Sequence, residues 1–183
     1  MIGVALDERA DDIRPFLDGV EFPVLLDRDH LRAELYAIST VPTGVWIEAD
    51  DRIARPNAAE LGTDLFEAFS DGASSAAHRR AVTDWVRTGT VPDDAAEEVA
   101  DLDDDELDAR LAFRLAAHLR RRDDDRSARW FERAAALAPF DFSVARASMP
   151  LTGRDPFGDE FMALFEEWRR AGAPIHGLAP HRE

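Results

Sequence analysis

Asp27, Asp29 and His30 stand within four positions of one another, two carboxylates and an imidazole of the kinds that ligate divalent cations. At a helix start such close neighbours seldom converge on one ion, and Asp29 is the expected helix cap, its carboxylate accepting from a first-turn amide. The other histidines add no ligand pair: His78 and His118 fall on separate predicted helices, and His176 and His181 in a Pro/Gly-rich tail. No H-E-x-x-H, G-x-S-x-G or phosphate-cradling loop occurs, so zinc-peptidase, serine-hydrolase and nucleotide chemistry lack their residues. The chain has no cysteine, which removes disulfides, thiolate nucleophiles and thiolate metal sites together. Trp46, Trp85, Trp130 and Trp168 are spread one per segment, which suits core anchors rather than a stacking platform. Arg154, in the loop "LTGRDPFGDEF" (151–161), could meet an acidic partner, although an exposed loop arginine usually meets water. These residues assign no catalytic group, no metal and no cofactor.

The charge balance narrows the partners. Among 183 residues, 38 are acidic and 22 basic, every basic one an arginine, for a formal charge of -16. That field repels nucleic acid and anionic membrane. Residues 1–20 lack the apolar core of a signal peptide, and no run reaches the roughly 18 apolar residues of a membrane span. As written, the chain is expected to be soluble and cytoplasmic, without a membrane span or nucleic-acid partner.

The elements that would position these residues alternate at first. Ile2, Val4 and Leu6 interleave with Gly3 and Ala5, the pattern of a strand buried on both faces. Asp7 is the expected cap of a helix carrying Ala10, Ile13, Phe16 and Leu17 on one face and closed by Gly19. "FPVLLD" (22–27) reads as a strand, and a helix follows with Leu31, Leu35 and Ile38 on one side. "GVWIEADDRIARP" reads as a hairpin turning at Asp50 and Asp51. Strand, helix, strand, helix, strand, strand argues an α/β layer on a mixed sheet.

From about residue 58 the periodicity is helical. Leu61, Leu65, Phe66 and Phe69 form one stripe, and Ala77, Ala81, Val82, Trp85 and Val86 another, stopped by Gly89 and Pro92. The acidic stretch 92–108 reads as a linker that grows into a helix, on which Leu107, Leu111, Leu115 and Leu119 repeat at four-residue steps. "RRRDDD" (120–125) marks a turn, basic before the break and acidic after it, as helix dipoles favour. A further helix carries Ala128, Phe131, Ala134 and Leu137, and a last one is expected from Asp155-Pro156 to Gly172.

Three stretches carry a family likeness, in order and at its spacing: "IGVALDE", "FPVLLDRD" and "YAISTVPTGVWIEADDRI". They resemble the strand-and-turn V-G-V-S-x-D-E, the F-P-V-L-x-D-x-D and the P-T motif of the redoxin type of thioredoxin-like domain, found in ResA/TlpA-like disulfide reductases and their AhpC/TSA-related peroxiredoxin relatives. The resemblance covers residues 1–57, the second half of such a domain. It implies that Pro42 follows a cis peptide bond and that Val41 presents backbone groups to an extended substrate, making Thr40, Val41, Pro42 and Thr43 the substrate-binding stretch. Two departures stand against it. Asp50-Asp51-Arg52 replaces the family's usual hairpin glycine, and the C-x-x-C motif that precedes "IGVALDE" in the family has no counterpart here. A truncated gene model, with the redox helix encoded upstream, is the expectation.

From Leu111 to Pro139, the placement of Leu111, Leu115, His118, Ser127, Phe131, Ala134 and Pro139 is similar to one tetratricopeptide helix pair. The expected fold is thus α/β: a partial thioredoxin-like mixed sheet with flanking helices at 1–57, a helical extension at 58–91, and a tetratricopeptide-like helical module with its acidic linker at 92–183. The resemblance implies a relative of thiol-disulfide oxidoreductases or peroxiredoxins that lacks the redox cysteines and is inactive as written. The alternative is a non-catalytic interaction module using the helices. The expected partner is a protein, met through the helical module or the exposed sheet edge, and the oligomeric state is left open.

Overall fold

In the computed structural model, which describes residues 1–39, 41–58, 74–96 and 102–173, the chain is an α/β protein with an extensive helical part. Two units can be separated: residues 1–35 together with 103–173, and residues 36–102. The segment 1–57 is therefore divided between them. Strands β1 (Gly3–Ala5) and β2 (Val24–Leu26) pair in parallel, whereas β3 (Gly44–Ile47) and β4 (Ile53–Ala58) pair antiparallel. Among the described residues these are two separate two-stranded sheets rather than the one mixed sheet expected.

In the first unit, Gly3, Val4 and Ala5 stand opposite Val24, Leu25 and Leu26. The expected burial of β1 on both faces does not occur: Ile2 is 65% exposed and Val4 is also exposed. Helix α1 (Ala10–Ile13) is a single turn that passes into a 3-10 turn at Arg14–Phe16 and buries no residue. Pro15 explains its length, because it has no N–H to continue the ladder and its ring crowds the preceding turn. The predicted stripe then has no helix face to occupy, and Phe16 is 79% exposed. Nor does Asp7 cap α1, since the cap position is Arg9, without a side-chain bond. Helix α2 (Leu31–Leu35) is also short. Ile38 lies beyond its end and Leu35 is exposed, so the expected Leu31–Leu35–Ile38 face does not form.

Helix α4 (Asp104–Arg120) starts with a reciprocal cap: Glu106 N donates to Asp103 and Asp103 N to Glu106, each at 2.8 Å. It packs on α5 (Arg126–Leu137), with the turn between them at the predicted place. Of the leucine stripe only Leu119 is buried. Ala109, Ala112, Phe113, Ala116 and Ala117 face Phe131, Ala134, Ala138 and Val144, while Leu107, Leu111 and Leu115 face outward. Alanine lets the two backbones approach closely, and Phe113 meets Phe131 edge to face at 5.3 Å. A leucine row in the same seam would hold the helices apart.

Helix α6 (Ala145–Leu151), with Pro150 inside it, has no sequence-level forecast. Helix α7 (Asp159–Arg170) begins later than expected. The Asp155 carboxylate accepts from Phe157 N at 2.9 Å in a local turn and does not cap the helix. Phe142, Met149 and Phe161 form a second cluster with Leu164, Phe165 and Trp168.

In the second unit the β3–β4 hairpin turns at Asp50–Asp51, Asp51 adopting φ +67° where a glycine was absent. Helix α3 (Ser75–Thr88) is capped by Ser74 and stopped by Gly89 at φ +75°. Trp46 stacks on Trp85 at 5.0 Å, and the Trp85 indole N–H donates to Glu48 at 2.8 Å. Val86, expected on the apolar stripe of α3, is exposed. The Leu61–Phe69 stripe lies outside the described residues.

Candidate functional site

Val41, Pro42 and Thr43 lead into β3. The Val41–Pro42 peptide bond is cis, Val41 and Pro42 are exposed and Thr43 is half-buried. Thr40 lies outside the described residues. The neighbouring hairpin turn borders an open depression of about 600 Å³ lined by Glu48, Asp50, Arg52, Ile53 and Val91. Arg52 there donates to Asp50 at 2.7 Å.

The metal reading of Asp27, Asp29 and His30 dissolves into three separate tasks. Asp27, and not Asp29, caps α2, accepting from Leu31 N at 3.1 Å, Arg32 N at 2.7 Å and Ala33 N at 3.0 Å. Asp29 instead binds Arg120 at 3.0 Å and Arg121 at 2.5 Å, and Arg120 also reaches Glu8. His30, at φ +53°, turns its ring so that Nε2 lies 3.0 Å from Leu6 O and Nδ1 3.2 Å from Ala147 O. No group of three or more His, Asp or Glu that could hold a metal is found among the described residues.

A buried ionic network that sequence reasoning missed joins α2 to α4. The Glu34 side chain is 1% exposed and takes Arg114 in bidentate fashion, Nε at 2.7 Å and Nη2 at 3.1 Å. This pairing raises the Arg114 pKa further above its ordinary value, the hydrogen bonds to Glu34 outweighing the cost of partial burial. Arg110 donates to Glu34 O at 2.7 Å and to Asp141 at 2.9 Å, and Asp141 also accepts from Ser143. Arg110 Nε is buried without a hydrogen-bond partner. Carboxylates saturated by guanidinium in this way make a tie between elements rather than a general acid or base. The signal available was Arg110 and Arg114 one turn apart on α4, the first buried and the second half-exposed, but no spacing rule connects them to Glu34.

Two further arginines are committed. Arg154 donates to Thr152 at 3.0 Å and Glu160 at 2.7 Å, so the candidate contact with an acidic partner is met in part within the chain. Arg146 sits over both Phe157 and Phe161 at about 4.5 Å, and burial pushes its pKa down.

The outer surface of α4 and α5 is the remaining candidate. Leu111 is 61% exposed, flanked along α4 by exposed Leu107 and Leu115. Beside them Trp130 lies between Arg129 and Arg133, each guanidinium 5.8 Å from the ring. A shallow groove of about 190 Å³ runs along Asp108, Leu111, Leu115, Trp130 and Arg133. Of the tetratricopeptide-like positions, Phe131 and Ala134 are core, whereas Leu111 and Leu115 line this surface.

Compared with known protein families, with curated proteins and with solved structures, the chain matches none. No helix among the described residues is long and apolar enough to cross a membrane.

Proposed function

We infer that this chain is a thioredoxin-like, redoxin-related protein that works by binding another protein through its helical hairpin and not by thiol chemistry. The observation that carries this reading is the row of Leu107, Leu111 and Leu115 beside Trp130. The α4–α5 seam is already closed by alanine and phenylalanine, and these leucines lie outside that core, 38–61% exposed. Leucines in a row, an aromatic ring and stacked arginines have the make-up of an interface centre. The redoxin lineage is supported by "IGVALDE", "FPVLLDRD" and the Val41-Pro42-Thr43 stretch. Catalysis of the redoxin kind passes through a thiolate, a sulfenate or a mixed disulfide, and a chain without cysteine can form none of them.

The purified chain, assayed for disulfide reduction with a dithiol reductant and for hydroperoxide reduction, is expected to match the buffer control. Turnover that survives stringent repurification would overturn the non-catalytic reading.

A further inference from the structure

The exposed face of α4 is apolar in the middle and oppositely charged at its two ends. On this face Asp104 and Asp108 precede Leu111, whereas Arg114, half-exposed beyond its bonds to Glu34, His118 and Arg122 follow it. We propose that this face docks a second copy of the same helix, antiparallel, about a two-fold axis at Leu111; the proposal rests on the reading of α4 as a binding surface.

Charge selects this occupant. An antiparallel copy sets Asp108 opposite Arg114, each three positions from Leu111, and Asp104 opposite His118, each seven positions from it. A parallel copy would face aspartate with aspartate and arginine with arginine. The same two-fold sets Leu107 opposite Leu115, each four positions from the axis, so the apolar row closes on itself as an isologous contact requires. Opposed helix dipoles favour the same orientation. The groove between Leu111, Leu115 and Trp130 gives the opposing leucines a place to enter.

The full chain is followed by sedimentation velocity across a wide concentration range. A reversible monomer–dimer equilibrium is expected. Leu111→Glu should raise the dissociation constant by roughly 100-fold or more, since it forces two carboxylates together at the axis, with the far-UV circular dichroism unchanged. The absence of natural cysteine gives a second measurement. Leu111→Cys should form a disulfide-linked dimer on mild oxidation, and Met162→Cys, exposed on α7, should not. A mixture of Leu107→Cys and Leu115→Cys should cross-link faster than either variant alone. A monomer at every concentration, a dimer indifferent to Leu111→Glu, or Leu107→Cys linking to itself as fast as the mixture would overturn the proposal. Each of these leaves the redox assays unaffected, whereas turnover in those assays overturns the underlying reading instead.

Discussion

Arg114 holds Glu34 by both carboxylate oxygens across 80 residues of sequence. The contact fixes α2 against α4 at a point where Glu34 is almost wholly withdrawn from water. Arg110, one turn away and buried, leans on the same residue through its carbonyl.

Glu34→Ala is therefore expected to destabilise the first unit by about 2 kcal/mol, because two charge-assisted hydrogen bonds to the half-exposed Arg114 are lost while Arg110 keeps Asp141 and the residue-34 carbonyl. Chemical denaturation measures it. The double variant with Arg114→Ala should cost less than the sum of the single changes, and strict additivity would show the pair to be uncoupled.

Phe113→Ala should cost ~3–5 kcal/mol by opening a cavity against Phe131. Leu111→Ala should stay within about 0.5 kcal/mol at concentrations where the chain is monomeric. A reversal of that order would mean that α4 presents its leucines, and not its alanines, to the core.

At Asp27 three amides depend on one carboxylate. Asp27→Ala should lower stability by about 1–2 kcal/mol, and Asp27→Asn by clearly less, since the amide oxygen still accepts from the first turn. Equal losses in thermal melting would place the role of Asp27 elsewhere than capping.

Arg126, hydrogen-bonded to Asp124, brings that carboxyl down to about 2. The folded value is below the unfolded one, so the associated stabilisation is complete above the ordinary aspartate range, near pH ~4, and is lost as pH falls through about 2. Carboxyl-detected NMR titration should find that midpoint in the native chain and a higher one in Arg126→Ala, still below the ordinary value because the residue-126 amide continues to donate.

The strands, the hairpin at Asp50–Asp51 and the α4–α5 pair with its turn were legible in the sequence, because local signals there agree with one another. Where two signals of equal local merit competed, the sequence could not choose. Asp27 and Asp29 are both good caps, and the deciding partners of Asp29, Arg120 and Arg121, lie about 90 positions away. On α4 the leucines and the alanines are both helically periodic, and the closeness of α5 settled which row went inside. Pro15 was the visible clue that α1 would be short, outweighed in the reading by the Ala10–Leu17 periodicity. The ionic network left no trace, since nothing near Glu34 reveals the residues that meet it.

The first unit is assembled from two stretches of chain, 1–35 and 103–173, with the second unit's residues synthesised between them. On a translating ribosome this imposes a delay. The first stretch emerges with its Glu34 side unclosed, and at ~5–20 residues per second the 80 positions to Arg114 take roughly 4–16 s to appear. During that interval Leu31 and Glu34 on α2 lack the helix that they pack against, and the wait ends when the residues of α4 that meet them have been made.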